Sequence, residues 1–406
     1  MSLALCSLLA SFVFAEIGLR LYLYNGITWE HSHLPPLLRE PDLETGWRLS
    51  SNQVAINTSL DYELVVETNS QGIIGAEKPF EASPEEFTVL LLGDSYMEAS
   101  HVSVDQSFAH NLQEALGTGY RTINLGVGGY STVQSWKAFE SRGKAYNPDL
   151  VLLAFYAEND IYGNSAELSC RMWGDEDPRC FCSPFASLDD SGALVVTSPQ
   201  YDRAREEFDA ALKQYNPKLK RLNSMMDSAV ERMYKQAISR FRQRVHTPGD
   251  VEAIHLGAYV KDPATMTTGA FFEAAWSRAQ QTTDAVLVRL SVDAADAGAN
   301  FGIFTVPSKL QTEPGYFEVV RARFPEVTLD LELPHRHLAA LCESNAIPFR
   351  DLLPDFRDAI AAGHQLNYAV EDSHWNPAGH ALAAILVAEW IREKNLLAGR
   401  KAAAGA

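Results

Sequence analysis

From Phe87 onward, short apolar runs alternate with amphipathic stretches: "TVLLL" (88–92), "FAHNLQEAL" (108–116), "RTINL" (121–125), "TVQSWKAFESRGKAY" (132–146) and "DLVLLAFY" (149–156). The runs show little polar alternation, the pattern of strands buried on both faces. The stretches between them repeat apolar residues at helical spacing. This βαβαβ order predicts a parallel sheet covered by helices on both sides. The pattern returns in "FGIFTV" (301–306), the helix-like "PHRHLAALCESN" (334–345) and a final helix "PAGHALAAILVAEWIREK" (377–394). Between the halves, residues 166–295 read as an insertion with helices of its own. Residues 25–86 form a lead-in, with a strand-like "ELVVET" and a turn signal "NSQG". The main domain is expected over 87–396, followed by a flexible tail at 397–406.

Composition narrows the function classes. The chain has 406 residues, of which 46% are hydrophobic and 21% charged, enough to bury a full core. Its net charge of −18 repels phosphate backbones, which argues against a nucleic-acid partner. Residues 1–24 are largely apolar, interrupted by Glu16 and Arg20. They read as a signal-anchor or as a buried N-terminal helix. The direct passage into a polar linker favours the anchor, and with it a membrane-anchored, extracytoplasmic protein. Bulky Leu5 before Cys6 argues against lipid modification there. Three of the five cysteines, Cys170, Cys180 and Cys182, cluster in a Gly/Pro/Asp-rich loop with no histidine beside them, so a disulfide suits this loop better than zinc. Between Lys213 and Arg244 lie nine basic residues against two acids, with apolar residues three or four apart from Leu222 to Phe241. This stretch reads as a helix, packed on the domain or lying on an anionic membrane surface.

The chemistry gathers where each apolar run ends. In open α/β sheets, ligands bind beyond the carboxyl ends of the strands. Gly93-Asp94-Ser95 follows the first run, and "GVGGYS" (126–131) the second. "AENDI" (157–161), with Asn159 and Asp160, follows the third, and "EDSHWNPAGH" (371–380) precedes the last helix. A nucleophile, a glycine-rich donor loop, an amide and an acid–histidine pair are thus expected at one sheet edge. Each has a plainer reading too: Ser95 as a helix cap, the glycines as turn formers, His374 as a loop histidine. His380, on the final helix, reads as structural. No Gly-x-Ser-x-Gly elbow, His-Glu-x-x-His motif or Walker loop is present, which leaves metal and nucleotide chemistry unsupported and no cofactor expected.

Together the four blocks resemble those of the SGNH, or GDSL-type, hydrolases: "GDS" at 93–95, "NLGVGGYS" at 124–131, "END" at 158–160 and "DSHWNPAGH" at 372–380. The likeness covers roughly 87–165 and 297–395, and the phrase "TNSQGIIG" (68–75) is similar to anchored bacterial members. The resemblance implies a three-layer α/β/α fold of flavodoxin-like type. It implies Ser95 as nucleophile, His374 as base, and an oxyanion hole of the Ser95 and Gly129 N–H groups with the Asn159 amide. For the acid, the usual position is occupied by Glu371. Asp372, two residues before His374 in an Asp-x-His-Trp arrangement like that of SGNH O-acetyltransferases, is preferred, with Glu371 in reserve. Ala157 stands where a glycine is usual. The implied activity is ester hydrolysis through an acyl-enzyme. The alternatives are O-acyl transfer to an envelope or exopolysaccharide, and a catalytically silent glycan-binding relative. The implied partner is an ester or acylated glycan.

Overall fold

A computed structural model describes residues 38–59, 61–214, 256–261, 269–369 and 372–397. The expected N-terminal anchor, the tail from 398, most of the basic stretch 213–244 and the reserve acid Glu371 lie outside these described residues. No helix among them is long and apolar enough to cross a membrane.

The lead-in contributes two antiparallel hairpins, β1 (Arg39–Asp42) with β2 (Gly46–Leu49) and β3 (Val54–Thr58) with β4 (Glu63–Glu67). The main sheet begins with β5 (Phe87–Leu92), followed by α1 (Ser95–Glu98), α2 (Phe108–Leu116), β6 (Tyr120–Asn124), α3 (Thr132–Ser141) and β7 (Leu150–Phe155). Next come α4 (Ala157–Asp160), α5 (Ala166–Trp173), α6 (Pro178–Phe181), a small hairpin of β8 (Ala186–Leu188) and β9 (Leu194–Val196), and α7 (Tyr201–Gln214). The second half supplies α8 (Gly269–Asp296), β10 (Asn300–Thr305), α9 (Lys309–Thr312), α10 (Pro314–Arg323), α11 (Leu333–Ser344), β11 (Phe349–Arg350), α12 (Leu353–Ala361) and α13 (Pro377–Glu393).

Five strands form one parallel sheet in the order β11-β10-β7-β5-β6. Numbered along the chain from β5, that is the 2-1-3-4-5 order of flavodoxin-like folds. Successive side chains of a strand face opposite ways, so each apolar run feeds two cores. Leu90, Leu92, Val151, Leu153 and Ile303 point to one side, where Val133, Trp136 and Phe139 of α3, Val286 and Leu290 of α8 and Leu338 of α11 meet them. Val89, Leu91, Leu150, Leu152 and Phe304 point to the other, against Phe108 and Leu112 of α2, Phe356 of α12 and Val387 and Ile391 of α13. The molecule has three layers.

Within the span 166–295, α8 packs directly on the sheet and leads into β10, so it serves as a crossover helix. The lead-in also folds onto the domain. Trp47 and Leu49 of β2 pack with Val127 and Tyr130 of the glycine-rich loop and with Phe181 and Ala204.

Candidate active site

The site begins where β5 ends. Gly93 has φ +151°, and a Cβ there would come within 2.8 Å of the Met97 side chain and 3.2 Å of Ala154, so glycine alone allows so tight a turn. The turn delivers Ser95 as the first residue of α1, with Asp94 as its N-cap accepting from the Tyr96 N–H at 3.0 Å. Ser95 itself is half-buried among fully buried neighbours and lines a cavity of about 480 Å3.

At the far end of the chain, Asn376 caps α13 by accepting from the Ala378 and Gly379 N–H groups, and Pro377 occupies the first helical turn. Just before this cap, Trp375 is fully buried, with its indole N–H donating to the Pro307 carbonyl at 3.1 Å and its ring against Tyr96 and Phe356. This anchor fixes the loop that carries Asp372 and His374. The His374 Nε2 lies 2.7 Å from the Ser95 Oγ. Its Nδ1 lies 2.5 Å from the Asp372 Oδ1, which also accepts the His374 backbone N–H at 2.8 Å. Serine, histidine and aspartate form one continuous hydrogen-bonded line, in the order that general-base activation needs.

The electrostatics follow the same line. Burial alone would raise the Asp372 carboxyl, but the hydrogen bond and charge of His374, aided by His101, hold it far below the usual carboxylate range. Burial alone would lower His374, yet the hydrogen bond and charge of Asp372, with Asp94 and Glu98 behind, raise it above its ordinary 6.5. The Asp372 Oδ2 accepts from the Tyr62 hydroxyl at 2.7 Å, and its backbone N–H donates to Asp61 at 2.9 Å. Both partners sit in the turn joining β3 to β4. Behind His374, the buried His101 ring stacks at 4.6 Å, and its Nε2 lies 2.9 Å from that of His380, so His380 packs behind the site rather than lining it.

The expected oxyanion groups belong to residues that line the same cavity. The backbone N–H groups of Ser95 and Gly129 donate to no described residue, and Gly129 has φ +80°. Asn159 stands beside them with its amide donating to Asp94 at 2.9 Å and, more weakly, to the Tyr130 carbonyl at 3.3 Å. In this arrangement the Asn159 amide is held by protein acceptors on both bonds. Burial pushes the Asp94 carboxyl up to about 6, against the pull of the Tyr96 N–H and the Asn159 amide. Asp160 accepts from the Tyr156 N–H at 2.6 Å and from Thr132 at 3.1 Å, the work of a buried turn residue.

Several residues around the site lie outside the four blocks. Arg39 and Trp47 of the first hairpin, Tyr62 of the second, and Glu98 line the same cavity. Glu98 was within reach of sequence reasoning, since it sits three residues after Ser95 and thus on the same helical turn. The others carry no sequence signal of their own.

No family model matches the chain, and no curated protein matches it. Among solved structures it is similar to an acetyl xylan esterase (11% identity, TM-score 0.34, covering 76% of this chain and 99% of that one). It is similar to an acetylxylan esterase from Geobacillus stearothermophilus (11% identity, TM-score 0.34, 78% and 95%). It is also similar to an alpha/beta hydrolase enzyme from the metagenome of Lake Arreo, Spain (13% identity, TM-score 0.36, 77% and 97%). Likenesses at these identities and TM-scores carry no argument, and the functional reading rests on the site itself.

Proposed function

We propose that this protein is an SGNH-type serine esterase that cleaves carboxylic esters through an acyl-enzyme on Ser95. One observation carries the reading: the Ser95 Oγ lies 2.7 Å from an imidazole nitrogen whose ring partner lies 2.5 Å from a carboxylate. In the first half-reaction Oγ attacks the ester carbon while His374 Nε2 takes the hydroxyl proton. The carbonyl oxygen becomes an oxyanion facing the Ser95 and Gly129 N–H groups and the Asn159 amide. Collapse breaks the bond to the alcohol oxygen, which receives the proton from His374. Water then attacks the acyl carbon with His374 again as base, and release of the acid restores Ser95. Asp372 keeps the imidazole oriented and stabilises its charged form.

A second reading, O-acyl transfer to a sugar hydroxyl in place of water, draws on the Asp-x-His-Trp arrangement. It also draws on a cavity lined by Trp47, Tyr62, Trp173 and Arg179, roomy enough for an acceptor. Product analysis with p-nitrophenyl acetate, with and without oligosaccharides, separates the two: free acetate marks an esterase and acetylated sugar a transferase. Ser95→Ala is expected to abolish turnover and fluorophosphonate labelling. Labelling that persists in this variant overturns the mechanism.

We also propose an extracytoplasmic, membrane-anchored placement. It is supported by the apolar segment 1–24 and by the Cys170–Cys180 disulfide, a bond that persists in oxidising compartments. Fractionation that recovers the full chain from cytosol with free thiols at 170 and 180 refutes it.

A further inference from the structure

Gly128 is gripped at both of its backbone polar groups by side chains outside the triad. Its carbonyl oxygen accepts from the Trp47 indole N–H at 3.3 Å. The Gly128 N–H, one peptide earlier, donates to the Glu98 Oε2 at 2.6 Å. A trans peptide points its N–H away from its carbonyl, so a donor that fixes the Gly128 carbonyl also fixes the direction of the Gly129 N–H. Glu98 is itself locked: it is buried, it accepts from the Ser100 hydroxyl at 2.9 Å, and Arg39 pairs with the same Oε2 at 3.3 Å. Space is so tight that a Cβ on Gly128 would lie 2.3 Å from the Arg39 guanidinium. Glu98 also shares the single turn of α1 with Ser95.

We propose that Glu98 and Trp47 are positioning residues that aim the Gly129 N–H at the oxyanion and set its register against the nucleophile. Glu98 ties the loop to the helix that carries Ser95. Trp47 ties it to the lead-in, so the β1–β2 hairpin is part of the catalytic apparatus rather than a leader to it. An N–H donor on the carbonyl also polarises that peptide and strengthens its own N–H as a donor. The inference rests on the reading of Gly129 as an oxyanion donor.

The test compares Trp47→Phe, Glu98→Leu and Glu98→Gln with the full chain, using p-nitrophenyl acetate and active-site titration by a fluorophosphonate. Leu49→Val, in the same hairpin and the same packing cluster, controls for loosening of the lead-in. Trp47→Phe and Glu98→Leu are expected to lower kcat per titrated site about tenfold or more, with KM within about threefold, since an aimed donor acts on the transition state. Affinity for a boronic acid that forms a tetrahedral adduct should fall in parallel. Glu98→Gln, which keeps an oxygen for the Gly128 N–H, should retain most of kcat. If Trp47→Phe matches Leu49→Val in kcat, or if KM rises as much as kcat falls, the inference is overturned, even where Glu98→Leu fails to fold. If Ser95→Ala still turns over, the esterase reading fails instead.

Discussion

In the proposed mechanism His374 takes a proton from Ser95 only while its ring is neutral, and Asp372, 2.5 Å from Nδ1, favours the charged form of that ring. Because Asp372 raises His374 above 6.5, the imidazolium persists to higher pH than in a free histidine. The acid limb of kcat/KM is therefore expected above pH 6.5, with activity rising as pH rises through it. In Asp372→Asn that limb should move down, and kcat should fall on the order of 10^3–10^4. Glu371→Gln should change kcat little; a larger loss there than in Asp372→Asn reassigns the acid. Asn159→Ala should lower kcat by roughly 10^2–10^3, as removal of one oxyanion donor does. An effect confined to KM places Asn159 outside the oxyanion hole.

At the scale of elements, α5 and α6 form part of the cavity wall. Cys170 on α5 and Cys180 on α6 are joined, while Cys182 stays a buried free thiol. The helices so clamped carry Trp173 and Arg179 to the cavity wall, with the guanidinium 3.3 Å from the centre of the indole ring and a two-point salt link from Arg179 to Asp177. A loop of about ten residues gains roughly 2–3 kcal/mol from closure in the chain-entropy model. Replacing both cysteines by serine should lower the melting midpoint and raise KM for bulky esters, leaving kcat for a small acetate ester nearly unchanged. A variant that keeps the parent's midpoint and KM shows that the wall holds without the bond.

For the whole molecule, the lead-in hairpins contribute to the lining of the cavity that holds Ser95, and the chain's charge is uneven. A net −18 coexists with nine basic residues between 213 and 244, a stretch that lies mostly outside the described residues. If that stretch lies on an anionic membrane, a chain lacking residues 1–30 should still bind anionic liposomes at low salt and release them as salt rises. Replacing Arg240, Arg242 and Arg244 with glutamine should weaken this binding without altering hydrolysis of a soluble ester. Absence of binding at low salt leaves the N-terminal segment as the sole membrane contact to be tested.

Much of this architecture was legible in the residues themselves. Doubly buried strands must be apolar at every position, so "TVLLL" and "LVLLAF" announce the sheet, and strand ends gather the polar residues that a parallel fold presents to a ligand. Local chemistry likewise marks Asn376-Pro377 as a helix start. The role of the lead-in was not legible. Tyr62 meets Asp372 across 310 positions and Trp47 meets Gly128 across 81, and no periodicity encodes partners so far apart. Nor did the apolar face of α8, set inside an apparent insertion, reveal that it covers the sheet. Local geometry depends on neighbours in sequence and can be read there. Which distant groups close around Ser95 depends on how whole elements pack, and the tertiary structure alone decides it.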